Sequence, residues 1–436
     1  MKPNSCRDRL EQALARIGDP KGEGTRACLT VYSEQSRAAA DAADARATQG
    51  ISLGPLDGAV VSIKDLFDVA GEPTRAGSKV LAEEAKPATA DAAIVRRLRR
   101  GGAVIVAKTN MSEFAFTALG INPHFGTPGN PSDRARVPGG SSSGAAVAAA
   151  DGLCEIAIGS DTGGSVRMPA ALCGVVGYKP TRQRVPTGGA FPLCYSFDSI
   201  GPIARSVADC AKADAVMADE EFFPLAPVAP AGLRFGVVQG LPLAELDSTV
   251  AAAFKAAISR LGDAGVRLTD ETLTLLDDMA AVEATGGIIA AEACAVHRER
   301  IGRRGVDIDP NVRARIERGC AIAATDYIAM QRARARLIDA MDAALSPLDA
   351  LVMPTTPMVA PTMAEVADPK VFFARNSALR RNTVIVNFFD LCAISLPLPA
   401  PLPVGLMLIA PSGRDRALLR MAGAIEALFG RRPELT

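Results

Sequence analysis

Two rhythms of apolar and polar residues run along this chain. Residues 5–17 and 33–48 place apolar side chains at helical intervals among Ala, Arg, Glu and Gln, predicting two surface helices. Residues 58–63 are a short apolar run and predict a buried strand, which ends on Lys64-Asp65. A lysine directly after such a run is unusual, because an ammonium is costly to bury without partners. Its ordinary explanation is a packed stem with the head group snorkelling to water. Residues 91–100 predict a helix whose Arg96, Arg97, Arg99 and Arg100 favour its C-terminal dipole, and Gly101-Gly102 stops it before a strand at 103–107. Helix, glycine stop and β-branched strand in succession indicate an α/β fold with at least partly parallel pairing. Lys108 to Ser112 then leave that strand's C-terminal end, where such sheets commonly place ligand contacts.

Further strands are predicted at 155–158, 174–181, 233–238, 348–353 and 405–409, and a strand-turn-helix at 198–208. Helices are predicted at 248–261, capped by Asp247 or Ser248 and stopped by Gly262, and at 275–302, 325–344, 371–389 and 414–428. Residues 212–232, with Pro224, Pro227 and Pro230, read as a linker or crossing loop. There is no internal repeat.

The pattern is densest in chemistry between Gly139 and Pro169. Two Gly/Ser loops, Gly139 to Gly144 and Asp161 to Ser165, flank an Ala-rich run that should be helical and the strand at 155–158. Glycines let a backbone approach a ligand without Cβ clashes, and consecutive amides converge as donors for a developing oxyanion. Serine hydroxyls among them are candidate nucleophiles or proton relays.

Composition narrows the chemistry. The 436 residues suffice for one large α/β domain or two, and 48 basic against 48 acidic residues leave no net field to attract nucleic acid or an acidic membrane. No uninterrupted apolar run is long enough to span a bilayer, and residues 1–6 lack an apolar leader segment, so a soluble cytoplasmic protein is expected. Nine scattered cysteines without a C-x-x-C pair point to reduced thiols and away from a disulfide scaffold or zinc site.

Only two histidines, His124 and His297, are present. Gly140 to Gly144 satisfies G-x-S-x-G and would make Ser142 an elbow nucleophile with His297 as base. The context disagrees: residues 127–138 are Pro-rich rather than a strand, and His297 falls mid-helix. His124 reads as a loop residue with structural hydrogen bonds. The other route uses no histidine. A lysine becomes a base if burial lowers its pKa from about 10.4 toward neutrality. Lys64 could then deprotonate one serine, which in turn deprotonates a second.

The blocks Ser62-Ile63-Lys64-Asp65, Val137 to Gly144 and Gly159 to Arg167 together resemble the amidase signature family. The likeness continues through Cys173 to Thr181 and Gly201 to Ser206. It is strong over residues 50–212 and looser over 213–400. The resemblance implies a single α/β domain over residues 1–436, a large mixed sheet covered by helices on both faces, with the substrate pocket built mainly from 213–400. It implies a Ser-cisSer-Lys triad: Ser165 as nucleophile, Ser141 after a cis peptide bond as bridge, and Lys64 as base. The amides of Thr162, Gly163, Gly164 and Ser165 would form the oxyanion hole. Asp161 and Arg167 would brace the loop by ion pairing, Ser142 would hydrogen-bond within the site, and Ser143 would cap the following helix. Met111, Ser112, Phe191 and Tyr195 are expected to contact substrate, with Phe114 and Leu193 completing an apolar lining suited to aryl or alkyl amides. No metal or cofactor is expected. The partner is a small amide, ester or carbamate, with no nucleic acid or membrane, and the assembly a monomer or homodimer. The alternative is the glutamine-hydrolysing subunit of a tRNA-dependent amidotransferase.

Overall fold

A computed structural model describes residues 5–430 except 227 and 285. Residues 1–4 and Pro227, on which the leader and linker expectations partly rest, lie outside the described residues. Eleven strands among them form one mixed sheet. In chain order they are β1 (Cys28–Val31), β2 (Val60–Lys64), β3 (Val104–Thr109), β4 (Ile156–Asp161), β5 (Val176–Lys179) and β6 (Ser199–Ala204). Then follow β7 (Arg234–Val238), β8 (Arg267–Glu271), β9 (Ala350–Pro354), β10 (Cys392–Leu398) and β11 (Val404–Ala410). Their spatial order is β1-β3-β2-β4-β6-β5-β10-β11-β9-β7-β8. β3, β2 and β4 run parallel, as do β8, β7 and β9, while the centre of the sheet is antiparallel.

Every residue of β2, β3, β4, β6 and β11 is buried, which requires cover on both faces. The period of two splits that cover into two cores. Along β2, Val61 and Ile63 join the larger core while Val60 joins a second one with Ala145 to Ala149; along β4, Ile156 and Ile158 separate from Ala157 in the same way. The second core is built of small side chains, so the helix Ser143–Ala150 lies close on the sheet and holds the preceding serine loop at the ends of β2 and β4.

Several elements depart from the pattern-based expectation. The stretch 275–302 is two helices, Leu275–Glu283 and Ile288–Arg304, because Gly286 and Gly287 both take positive φ. Leu275–Asp307 has the length and apolarity of a membrane span, yet Leu276, Met279, Ile288 and Ile289 point into the core. The stretch 371–389 is likewise divided, into Pro369–Arg380 and Thr383–Phe388, where Asn382 ties itself to the carbonyls of Pro242 and Pro354. Residues up to Ala218 of the supposed linker belong to the helix Val207–Ala218. Strands β1, β8 and β10 and the helix Pro310–Gly319 are not among the elements expected from the pattern. In β8 only Leu268 of Arg-Leu-Thr-Asp-Glu is strongly apolar, as an edge strand allows. The reduced-thiol expectation also needs correction. Cys294 and Cys320 form a disulfide, because the helices Ile288–Arg304 and Pro310–Gly319 pack together and bring their Cα atoms to 5.3 Å; the other seven cysteines are free and buried.

Candidate active site

β2 ends on Lys64, flanked by the parallel strands β3 and β4, and the lysine side chain is fully buried. Its Nζ lies 2.8 Å from Ser141 Oγ and 2.9 Å from Ser160 Oγ, and no carboxylate lies within ion-pair distance among the described residues. Burial pushes the Lys64 ammonium down to about 7, against the opposing pull of Asp198 and Asp161. The snorkelling explanation therefore does not apply: the amine is held inside by hydroxyls.

The peptide bond between Gly140 and Ser141 is cis. The Ser112 amide donates to the Ser141 carbonyl at 3.1 Å, and the Gly140 amide donates to the Ala118 carbonyl at 2.7 Å. The two Gly/Ser loops meet through the Ser142 amide, which donates to the Ser165 carbonyl at 3.3 Å. No hydrogen bond joins Ser165 Oγ to Ser141 Oγ among the described residues. Ser142 Oγ donates to the Ser160 carbonyl at 3.4 Å. Ser143 does not cap its helix: Ser142 holds the N-cap position, and Ser143 Oγ is buried without a partner.

Ser165 sits at the turn between β4 and the helix Arg167–Cys173, 6% exposed. A buried charge network shapes the turn. Arg167 grips Asp161 with Nε and Nη2 at 3.0 and 2.9 Å, and both side chains are fully buried. Asn387 accepts from Arg167 at 2.7 Å and donates to Asp161 at 2.9 Å. Burial alone would raise the Asp161 carboxyl, but Arg167, Lys179 and Asn387 outweigh it and hold it below the ordinary carboxylate range. Asp161 also accepts from the amides of Gly164 at 2.8 Å and Val166 at 3.2 Å. The Gly164 amide is thus engaged and does not join the oxyanion donors as expected. The amides of Thr162, Gly163 and Ser165 have no partner among the described residues. Gly164 takes φ +117°, and a Cβ there would strike Thr383, whose hydroxyl donates to the Gly163 carbonyl at 2.8 Å.

A cavity of about 30 Å³ opens beside Ser165, lined by Thr162, Gly163, Met168, Phe116, Leu193 and Ile289 and by Arg315 and Arg380. Of the expected lining, Leu193 is present. Met111 is buried beneath Gly77 and Asn122, its carbonyl accepting from Asn122. Ser112 supports the serine loop. Phe114 and Phe191 pack on His297, with ring centroids 4.1 and 5.7 Å away, and Tyr195 is 69% exposed. For Leu193 and Tyr195 the cause is Asp198, which accepts from the amides of Leu193 and Cys194, at 3.0 and 3.1 Å, and from Thr162 Oγ1 at 2.5 Å, turning Leu193 inward and leaving Tyr195 outside. His297 lies within the helix Ile288–Arg304, its Nδ1 facing Arg300 at 2.7 Å, and burial pushes its imidazole down to about 3. His124 meets the buried Glu113 at 3.0 Å.

The family model described as Amidase matches residues 9–419. The chain is a member of the amidase signature family. It is 37% identical to the 2-amino-5-chloromuconic acid deaminase of Comamonas testosteroni, over 91% of this chain and 87% of that one. It is 36% identical to one subunit of the glutamyl-tRNA(Gln) amidotransferase of Deinococcus radiodurans, over 96% and 93%. A crystal structure described as an amidase superposes with a TM-score of 0.88 at 32% identity, covering 98% of this chain and 97% of that one. This amidase signature protein is accordingly a hydrolase of amide C–N bonds on a single α/β fold with a large mixed sheet.

Ser160, Asp198, Thr383 and Asn387 were not singled out from the sequence. Ser160 stands inside the motif, one position before Asp161. Thr383 and Asn387 come from a helix more than 200 residues downstream whose apolar pattern resembles any core helix.

Proposed function

We propose that this enzyme cleaves a small carboxylic amide with Ser165 as nucleophile, Ser141 as bridging hydroxyl and Lys64 as base. The observation that carries this reading is a fully buried amine whose polar partners among the described residues are two serine hydroxyls, one of them Ser141. Neutral Lys64 takes the Ser141 proton, Ser141 takes the Ser165 proton, and Ser165 Oγ bonds to the carbonyl carbon. The carbonyl oxygen becomes an oxyanion facing the unpartnered amides of Thr162, Gly163 and Ser165. As the C–N bond breaks, the lysine proton returns through Ser141 to the leaving nitrogen. Water then attacks the Ser165 ester while the same relay runs again, releasing the acid and restoring Ser165. Substrate brings the Ser165 and Ser141 hydroxyls into line, since catalytic hydrogen bonds commonly tighten only in the complex.

Esters and carbamates enter the same acyl chemistry, and no step calls for a cofactor. The test is turnover of simple amides, anilides, carbamates and glutamine by the purified protein, with Ser165→Ala as control. Ser165-dependent acid release is expected, and undiminished turnover in the variant would refute the assignment. The full-length similarity to one component of an amidotransferase favours a second reading, partner-dependent release of ammonia from glutamine. Turnover of simple amides by the chain alone would exclude it.

A further inference from the structure

The cavity beside Ser165 does not end at its apolar walls. Phe116, Ile289, Arg315 and Arg380 also border a wider cavity of about 220 Å³, which adds Glu283 and Arg318. The charged groups lining the two are three guanidiniums and one carboxylate, leaving an excess of positive charge in the space that adjoins the nucleophile. Arg315, on the helix Pro310–Gly319, has no hydrogen bond and no ion pair among the described residues; its guanidinium rests 4.3 Å from the centroid of the Phe116 ring. Arg380, the last residue of Pro369–Arg380, reaches Glu283 only at 3.9 Å, and Glu283 Oε1 accepts no hydrogen bond among the described residues. Burial, with Arg380 and Arg318 close by, pushes Arg315 down to about 9, while burial raises the Glu283 carboxyl and weakens the one counter-charge.

Arg315 and Arg380 are both only partly exposed, and a guanidinium so shielded and left without a close carboxylate is unfavourable unless something else neutralises it. The planar fork of a guanidinium matches a carboxylate bidentately. We infer that the amide cleaved at Ser165 carries a carboxylate a few bonds from the scissile carbonyl, received by Arg315 and Arg380. The inference rests on Ser165 being the nucleophile. The apolar neck of Phe116, Leu193, Met168 and Ile289 takes the short chain between the two functional groups, and the arginines set which end faces Ser165. The aryl or alkyl amides expected from an apolar lining are thereby narrowed to anionic half-amides.

The experiment compares succinamate and glutaramate with their neutral diamides, which have the same length and shape. Binding is measured by calorimetry on Ser165→Ala and turnover on the wild type. Hydrogen bonds to charged groups predict that the anions bind about 10- to 100-fold more tightly than the diamides. Arg315→Met, which keeps a long apolar side chain on Phe116, and separately Arg380→Met should collapse that ratio, with folding verified by circular dichroism. Equal affinity for anion and diamide, no binding of either anion, or a ratio unchanged in both arginine variants overturns the inference. Failure of the proposed function looks different: an arginine-dependent preference would persist while Ser165→Ala left turnover intact.

Discussion

The floor and the wall of this site are built by opposite rules. The floor, from Ser62 to Asp65 and from Gly139 to Arg167, is short in sequence and closed. Its lysine has hydroxyl partners, its aspartate five donors from four residues, and its glycine at 164 no room for a methyl group. The wall, drawn largely from helices between Leu275 and Arg380, leaves Arg315 without a hydrogen-bond or ion-pair partner among the described residues. Groups that transfer protons must be held before substrate arrives, whereas a group that recognises substrate must be left unsatisfied until it does. The contrast predicts that damage to the floor stops chemistry and damage to the wall changes selectivity.

Ser165→Ala should lower amide turnover by at least about 10³-fold, since removing a nucleophile that acts as part of a unit removes nearly all of the unit's effect. Residual activity near wild type would erase the distinction between floor and wall. Lys64→Ala should cost amides about 10²- to 10⁴-fold, the usual range for general acid–base work. Activated esters should lose less, because an aryloxide of low basicity leaves without a proton. Equal losses for anilide and aryl ester would contradict the relay. Arg167→Met leaves Asp161 buried and unpaired, and such a break costs about 3–5 kcal/mol. Thermal unfolding by circular dichroism should show a clearly lower melting temperature, and an unchanged one would mean that the floor is not held by this pair. Tyr195→Ala, at an exposed position outside the cavity, should change kcat/KM by less than about twofold. A larger change would draw the boundary of the wall differently.

How far each part could be read from the residues follows the same division. β2, β3 and β4 are short apolar runs bounded by Gly or charged residues, and Lys64 stood out because it broke the rule for such a run. The serine loops stood out through glycine density. The wall had no comparable mark. Arg315 and Arg380 sit in helices with ordinary surface-like composition, and only the folded chain brings both to the cavity that Ser165 lines. The aromatic residues placed in the pocket failed for a related reason. Phe114 and Phe191 found a better partner in His297, and Asp198 decided which of Leu193 and Tyr195 faces inward. Gly286-Gly287 was a visible helix break that the strong apolar run on either side concealed. The Cys294–Cys320 pairing depended on helix packing that sequence spacing does not encode.

The most direct test of the buried-amine relay is the pH dependence of kcat/KM for a simple amide, paired with the rate at which a fluorophosphonate labels Ser165. The relay needs Lys64 uncharged, and burial sets its pKa at about 7, so both rates should climb as pH rises through 7 and level off above 8. In Lys64→Ala the labelling rate should fall and lose that inflection. Rates flat from pH 5 to 9, or an inflection surviving unaltered in Lys64→Ala, would contradict the account.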